Sequence, residues 1–187
     1  MVDKVLRIAL VPSYSFAGEN FGDGSLYATA LILMEYFKKC IASTKYTSVD
    51  YFFEMKPAEV TNDDLVCYML ANQNRSIVAK KAPGQAIGGS GSTFYSKVDS
   101  AVISEIYIDT TAGDGNRYKL VANIIFHELM HNRLDAGPTI WLNVHNVVNG
   151  VLTTSKPITS YMDMSAADAA AMRRGLTHPR KQYTGGM

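Results

Sequence analysis

The spacing of apolar residues along the chain predicts strands in four places. The runs at residues 4–11, 49–54, 65–70 and 101–109 are alternating, aromatic or rich in β-branched residues, and each has the length of an ordinary strand. Between the third and fourth runs lies a stretch rich in Gly, Ser and Lys, residues 80–97. Its composition predicts a flexible loop or the tip of a hairpin, and it lacks the GxxxxGK[ST] pattern of a phosphate-binding loop.

Two longer stretches carry apolar residues at helical spacing. The first runs from Leu26 to about Cys40 and predicts a long N-terminal helix. The second begins at about Asn116, where either Asp114 or Asn116 can cap the first turn. A Gly-Pro pair at residues 137–138 supplies a stop signal, so the second stretch predicts a largely buried helix of about five turns.

Composition narrows the possible classes of function. The 187 residues fit a single domain, 1–187, and the 47% apolar and 19% charged residues are typical of a folded globular protein. The formal net charge of +1 gives no indication of a nucleic-acid surface, so a small molecule, a peptide or a protein is the expected partner. Cys40 and Cys67 have no CxxC partner, and we expect two unpaired, buried thiols.

The chain shows no segment that predicts a membrane span. Its longest apolar run, YATALILMEYF, is short and contains Glu35. The N-terminal apolar run is brief, ends at Pro12 and lacks the cleavage site of a secretory signal. We therefore expect a soluble protein that is cytoplasmic or exported by a non-classical route.

The second predicted helix contains the sequence HELMH in an otherwise apolar stretch. His127 and His131 are four residues apart, which on an α-helix separates them by about 40° of rotation and about 6 Å of rise, so both imidazoles can bind one ion. Glu128 is turned by about 100° from His127, and its carboxylate can take a proton from a water on the ion. The spacing predicts a zinc site with Glu128 as base. The alternative is an amphipathic helix whose polar face matches the pattern by chance.

A catalytic zinc generally has three protein ligands and an open position, so one more ligand is required. His145 follows the predicted end of the helix, and the chain can turn back there to present it to the ion. Asp135 is the competitor, but on a continuous helix it would lie about 12 Å along the axis from His127. Its spacing of four suits a hydrogen bond to the other ring N–H of His131, or it could form a surface pair with Arg133 or a neighbouring residue. We favour His145 as the third ligand and keep Asp135 as the alternative.

At these residues the sequence resembles the zincin metallopeptidases. The order of strand, long helix, strands, the strand AVISEIYID and then the HELMH helix is similar to the N-terminal subdomain of zincins, including the metzincins. The resemblance implies an α+β, zincin-like fold, in which a small mixed sheet packs on a long N-terminal helix and on the HExxH helix, followed by a smaller C-terminal helical part. It also implies that the last strand before the HExxH helix is an edge strand along which a peptide substrate lies extended. The elongated metzincin motif is not completed, because Leu134 and Gly137 stand where that family has Gly and His.

The segment SYMDMSAADAAAMRRGL is similar to the Met-containing turn of metzincins and the helix that follows it. This resemblance implies that Met162 or Met164 lies under the metal. Ser165 and Asp168 match the S-x-x-D capping pattern of a helix start. Tyr161 is a candidate to stabilise the oxyanion of the reaction, with an ordinary packed tyrosine as the alternative.

Together these observations predict a zinc-dependent metalloendopeptidase, a hydrolase acting on a protein or peptide substrate. His127, His131 and His145 are expected to hold Zn²⁺, and Glu128 to activate the water and pass its proton to the leaving amine. One alternative is a catalytically inactive protein of zincin fold that binds a partner or keeps the metal for stability. Another is a non-peptidase zinc hydrolase such as a deformylase, although Cys67 does not stand in the Gly-Cys-Leu context of the deformylase ligand.

Overall fold

The computed structural model describes residues 3–13, 21–109 and 117–185. Within these ranges the chain forms a five-stranded mixed sheet and four α-helices, so the expected α+β class is confirmed. The strands are β1 Val5–Pro12, β2 Ser48–Phe52, β3 Leu65–Leu70, β4 Gly91–Ser96 and β5 Ala101–Tyr107. The helices are α1 Asp23–Cys40, α2 Ile77–Lys81, α3 Arg117–Leu134 and α4 Ala166–Gly175.

The sheet has the strand order β2-β1-β3-β5-β4, with one antiparallel strand at its edge. β1 is parallel to both β2 and β3, and β3 is parallel to β5. β4 runs antiparallel to β5, with Gly91 opposite Ile106 and Ser96 opposite Ala101. All six residues of β3 are buried, which explains why this central strand reads as a continuous apolar run instead of an alternating one.

Helices α1 and α3 cover one face of the sheet. The ring of Phe126 on α3 packs against Tyr36 and Phe37 of α1, with ring centroids 5.5 and 5.3 Å apart. Met172 and Leu176 bring α4 and its C-terminal end into the same core. Residues from three strands complete this core: Leu6, Ile8, Leu10, Leu65, Cys67, Met69 and Ile106. The apolar face of the sheet therefore fixes α3, the helix that carries the HELMH sequence.

The opposite face of the sheet is covered by α2 and by the C-terminal segment. The hydroxyl of Tyr68 on β3 donates to the backbone carbonyl of Tyr183 at 3.1 Å. Glu105 on β5 is fully buried, and its carboxylate accepts hydrogen bonds from the hydroxyl of Tyr107 at 2.6 Å and from the backbone N–H of Ile77 at 2.7 Å. Hydrogen bonds therefore satisfy this buried carboxylate and connect α2 to the sheet.

Two buried polar side chains fix the C-terminal turn of α3. The amide of Asn132 donates to the hydroxyl of Ser104 on β5 and to the side-chain oxygen of Gln182, both at 2.9 Å. Arg133 is 1% exposed, and burial lowers its pKa to about 10. Its guanidinium donates to backbone carbonyls rather than to a carboxylate, and the acceptors are Asn62, Asp63, Asp64 and His178. The end of α3 is thus held from the loop before β3 and from the C-terminal segment.

The structure corrects two expectations about the edge of the sheet. The loop predicted over residues 80–97 is wrong for residues 91–96, which form strand β4. The expectation that the last strand before the HExxH helix is an edge strand is also wrong, because β5 lies between β3 and β4. A short hairpin connection folds β4 back onto β5 on the side away from β3, so β4 takes the edge position.

Three further expectations concern the chain as a whole. Cys40 and Cys67 are both free and buried, as predicted. In the described part of the chain no helix is long and apolar enough to cross a membrane. The predicted helix caps Asp114 and Asn116 lie outside the described residues.

Candidate metal centre

Two histidines on α3 meet a third histidine from the segment that follows the helix. The Nε2 atoms of His127 and His131 are 3.2 Å apart. The ring centroid of His145 lies 5.4 Å from that of His127 and 4.9 Å from that of His131. One ring nitrogen from each histidine lies within 4.8 Å of the other two, so the three could hold a single metal ion. The structure brings together the three residues that the sequence singles out as metal ligands.

The second ring nitrogen of every histidine in this group is bonded to an oxygen. Nδ1 of His127 lies 2.6 Å from the carbonyl of Leu152, and Nδ1 of His145 lies 3.1 Å from the carbonyl of Thr153. Nδ1 of His131 lies 2.7 Å from Oδ1 of Asp135. A carbonyl can only accept a hydrogen bond, so Nδ1 of His127 and of His145 must carry the proton. In the neutral form of each ring, a proton on Nδ1 leaves the lone pair on Nε2, which is how histidine ligands of metals are oriented.

Asp135 contacts two parts of the site with its two carboxylate oxygens. Oδ1 bonds to His131 as described, and Oδ2 accepts the backbone N–H of Val144 at 2.9 Å. The predicted hydrogen bond between His131 and Asp135 is therefore present. The alternative pair of Asp135 with Arg133 is wrong, because Arg133 is buried and directed at backbone carbonyls. Asp135 thus links the end of α3 to the segment that carries His145.

His145 is carried by a compact segment, residues 144–153, which follows the end of α3. The segment opens with a 3-10 turn at Val144–Asn146, capped by the side chain of Asn143. Its outer tip is Val148, which is 79% exposed, and Asn149, which has a φ of 61°. The chain then returns inward to place the carbonyls of residues 152 and 153 against the histidine rings.

Glu128 is buried between α3 and the edge strand. Its side chain is 6% exposed, and Oε2 accepts a hydrogen bond from the hydroxyl of Thr93 on β4 at 2.7 Å. The same hydroxyl lies 2.9 Å from the backbone carbonyl of Glu128. Thr93 therefore fixes the carboxylate at the side of the cleft that also contains the histidines.

Burial shifts the pKa values of the ionisable groups in the site. Burial, reinforced by the neighbouring His131, lowers the pKa of His127 to about 4. Burial acts in the same direction on His131, but its hydrogen bond to Asp135 and the charge of Glu128 outweigh it and raise its pKa. Burial raises the pKa of Glu128 to about 7, against the opposing effects of His131 and Thr93. His127 is consequently neutral near pH 7, and Glu128 can both accept and release a proton there.

A cleft of about 290 Å³ runs past the three histidines and Glu128. One wall is formed by residues 88–93, which include the start of β4, and the other by residues 154–158. β4 pairs with β5 along one edge, and no strand in the described ranges pairs with its other edge. The histidine group, Glu128 and the start of the edge strand β4 therefore line one cleft.

Gly91 permits the close approach of β4 to α3. A Cβ atom at this position would lie 2.9 Å from both Cγ and Oε1 of Glu128 and 2.9 Å from the backbone oxygen of Glu105. Each of these distances is shorter than van der Waals contact between such atoms. Only a residue without a side chain leaves Glu128 where it is.

The structure also locates the residues that the sequence ties to a Met-containing turn. Ser165 and Asp168 form the predicted capping box at the start of α4. Met162 and Met164 are half-buried and pack against the main core, and neither is among the residues lining the cleft. The hydroxyl of Tyr161 donates to Asp163 at 2.7 Å, and Tyr161 does not line the cleft either.

Sequence patterns gave no direct signal for four contributors to the site: Gly91, Thr93, Leu152 and Thr153. The alternation within STFYS could have indicated β4, but the surrounding glycines and serines favour a loop. Leu152 and Thr153 act through backbone carbonyls, which every residue possesses. Such contributions leave no side-chain signature.

No known family model matches the chain, and no curated protein matches it at a significant level. The function must therefore follow from the chemistry of the site.

Proposed function

We propose that this protein is a zinc-dependent hydrolase of peptide bonds. The observation that supports this most strongly is the pairing of every Nδ1 atom in the histidine group with an oxygen. That pairing leaves the Nε2 atoms of His127, His131 and His145 available to a metal, and the three residues line the same cleft as Glu128. An accidental polar patch on a helix would not require three separate orienting partners.

The donor set suits zinc. Imidazole is a preferred ligand of Zn²⁺, and three protein ligands with an open position are typical of catalytic sites. Tetrahedral zinc with bonds of about 2.0–2.1 Å to nitrogen places its ligand atoms roughly 3.3–3.4 Å apart. The 3.2 Å between the Nε2 atoms of His127 and His131 is close to this spacing. Both Nε2 atoms therefore need little movement to share one ion.

When bound, zinc lowers the pKa of a coordinated water to about 7 and polarises a carbonyl oxygen. Glu128 is the residue placed to accept a proton from the attacking water, because its carboxylate lines the cleft beside the histidines. The pKa of about 7 that burial gives this carboxylate allows it to return the proton to a leaving amine. Thr93 keeps the carboxylate in place through its 2.7 Å hydrogen bond.

The edge strand supports a peptide as substrate. Among the described residues no strand pairs with β4 on the side away from β5, and Gly91, Ser92 and Thr93 of β4 line the cleft. An extended peptide can add to such an edge as a further strand, which would hold its backbone beside Glu128. The zincin resemblance implies that the last strand before the HExxH helix binds the peptide, and we propose that β4 does so here in place of β5. A zincin-like arrangement of sheet, α1 and α3 is part of this proposal.

The experiment that tests the proposal combines metal analysis with one conservative substitution. We expect the purified protein to bind one zinc ion and to hydrolyse an unfolded protein substrate. Glu128→Gln should abolish hydrolysis and retain zinc. Glu35→Gln on the outer surface of α1, where the carboxylate is 65% exposed, is the matched control and should keep full activity. Retained hydrolysis in the Glu128 variant would overturn the mechanism.

X-ray absorption spectroscopy at the zinc edge distinguishes the proposed catalytic site from a purely structural metal site. An open position occupied by water supports catalysis, whereas a fourth protein ligand would exclude it. Hydrolysis of small amides or esters without cleavage of any peptide would point to a non-peptidase hydrolase.

A further inference from the structure

Asp168 is a fully buried carboxylate whose hydrogen bonds extend well beyond the helix it caps. Within the capping box, Oδ2 accepts from the backbone N–H of Ser165 at 2.9 Å and from its hydroxyl at 2.7 Å. Oδ2 also accepts the backbone N–H of Val151 at 3.0 Å. The N–H of Leu152 lies 3.2 Å from both carboxylate oxygens. A helix cap does not require the last two donors, which belong to the segment that returns from His145.

The residues that Asp168 holds are those that orient two of the three imidazoles. Leu152 donates its N–H to Asp168, and its own carbonyl accepts the Nδ1 proton of His127 at 2.6 Å. The carbonyl of the next residue, Thr153, accepts the Nδ1 proton of His145 at 3.1 Å. Because peptide groups are planar, only the φ and ψ rotations of Leu152 and Thr153 lie between the fixed N–H groups and these two carbonyls, which restricts where the carbonyls can point.

Gly150 shows how closely the chain passes the carboxylate. A Cβ atom at position 150 would lie 2.0 Å from Oγ1 of Thr153 and 2.9 Å from Oδ1 of Asp168. The turn at residues 150–153 is therefore wrapped against Asp168 with no space for a side chain. Without an acceptor at position 168, the buried N–H groups of Val151 and Leu152 would lose their partners, and the turn would have to move to find others.

We propose that Asp168 is a positioning residue of the metal centre. Through residues 151–153 it holds His127 and His145 as Nδ1–H tautomers with both Nε2 atoms facing the ion. Its connection to zinc rests on the proposed function. Its control of the two imidazoles does not, because the hydrogen bonds exist without a metal.

Nitrogen NMR of the metal-free protein tests this control directly. At about pH 8, above the ordinary imidazole pKa of about 6.5, we expect wild-type His127 and His145 to carry their proton on Nδ1. Asp168→Asn replaces one acceptor oxygen by an amide that cannot accept, and both rings should shift toward the Nε2–H tautomer. Ser165→Ala is the matched control, since it breaks the capping box and leaves the carboxylate facing Val151 and Leu152. Its two rings should keep the wild-type tautomer.

Zinc affinity, measured by competition with a chelator, gives a second readout. Asp168→Asn should weaken zinc binding by about ten- to a hundredfold, the usual effect of removing a partner that orients a ligand. Ser165→Ala should stay within about twofold of wild type, even where both variants lower the melting temperature equally. Equal losses of affinity in the two variants, or unchanged tautomers in Asp168→Asn, would overturn the proposal.

Gly150→Ala covers the case in which Asp168→Asn does not fold. The added methyl group displaces the turn and leaves the carboxylate present, so tautomers and zinc affinity should change as in Asp168→Asn. Wild-type behaviour of Gly150→Ala in both measurements would overturn the proposal. If the wild-type protein binds no zinc, the proposed function fails, and the NMR experiment alone decides the role of Asp168.

Discussion

The carboxylate of Asp135 acts on two of the three imidazoles, on one directly and on the other through the backbone. Oδ1 is hydrogen-bonded to Nδ1 of His131, and Oδ2 accepts a hydrogen bond from the backbone N–H of Val144, the residue before His145. Asp135→Asn keeps the shape of the side chain but loses one acceptor. We expect zinc affinity to fall by about ten- to a hundredfold in a chelator competition.

The control for this substitution is Asp163→Asn, which removes a carboxylate that bonds only to the exposed Tyr161 and does not line the cleft. It should bind zinc as wild type does. Complete loss of zinc in Asp135→Asn at an unchanged melting temperature would indicate that Asp135 is itself a ligand. An affinity within about twofold of wild type would show that it has no part in the site.

Gly91→Ala tests the contact between the edge strand and the carboxylate of Glu128, the proposed base. The new methyl group would lie 2.9 Å from the side chain of Glu128, so either the strand or the carboxylate must move. We expect peptide hydrolysis to fall at least tenfold with zinc binding retained, because the atoms nearest to a Cβ at position 91 belong to Glu128 and Glu105 and not to a histidine. Gly24→Ala in α1 is the control, since a Cβ there meets no atom within 4 Å and Gly24 does not line the cleft. Equal activity of the two variants would contradict this account of Gly91.

At the scale of single residues, the sequence identified the side chains of the site but not what orients them. The spacing of His127, Glu128 and His131 carries a geometric meaning that can be calculated from an ideal helix. His145 followed from the need for a third ligand. The carbonyls of Leu152 and Thr153 could not be anticipated, because their role depends on where the chain returns in three dimensions.

The element that most needs support is α3, which carries two of the histidines and ends immediately after them. Arg133 anchors this end by donating to backbone carbonyls of the loop before β3 and of the C-terminal segment. Arg133→Met fills a similar volume but leaves these carbonyls without their donor. We expect a loss of at least about 2 kcal/mol in the free energy of unfolding, measured by urea denaturation.

The matched control is Arg174→Met, which removes an exposed guanidinium from α4. This change should alter the free energy of unfolding by less than about 0.5 kcal/mol. A similarly small effect at both positions would mean that the carbonyls find water in place of Arg133.

At the scale of elements, apolar periodicity predicted four of the five strands and both long helices to within a few residues. The missed strand, β4, consists largely of small and polar residues, since it lies at the sheet edge beside the cleft. Burial on both sides produces a strong apolar signal, and a strand at a functional edge lacks that burial. The location at the sheet edge for which we propose a role in substrate binding is also what makes β4 hard to recognise from sequence.

Across the whole molecule, Asp63 links residues that are far apart in sequence. Its carboxylate pairs with the ammonium groups of Lys4 and Lys45 and accepts the hydroxyl of Tyr46 at 3.1 Å. Burial alone would raise the pKa of Asp63, but the two ammonium groups outweigh it and lower the pKa to about 2.

The lowered pKa of Asp63 means that its ion pairs stabilise the fold less as the solution becomes acidic. The folded state favours the ionised form of Asp63 more than the unfolded state does. The resulting contribution to the free energy of unfolding is therefore present above about pH 4 and is lost as the pH falls toward 2. Asp63→Asn should therefore melt at a lower temperature than wild type at pH 6, and the difference should shrink between about pH 4 and pH 2. Thermal denaturation monitored by circular dichroism measures the melting temperatures.

Asp50→Asn is the control, since Asp50 forms no ion pair within the described residues. A difference in melting temperature that does not depend on pH would exclude the ion pairs as its cause.

The α+β class could be predicted at this scale, whereas the strand order could not. A sequence of strand, helix and strand predicts parallel pairing of β1 with its neighbours. The order of elements along the chain does not predict that β3 lies between β1 and β5. That strand order depends on how the helices pack on the apolar face of the sheet. The grouping of His145 with α3 depends in turn on that packing.

The segment that carries His145 is fastened near its two ends, by Asp135 at Val144 and by Asp168 at Val151 and Leu152, while its tip at residues 148–149 lies in solvent. A loop anchored in this way can vary in length at its tip without disturbing its ends, because closure entropy grows only slowly with added residues. Related chains can therefore carry insertions there, and a reporter peptide can be grafted between Val148 and Asn149 to follow the protein without altering the spacing of its histidines.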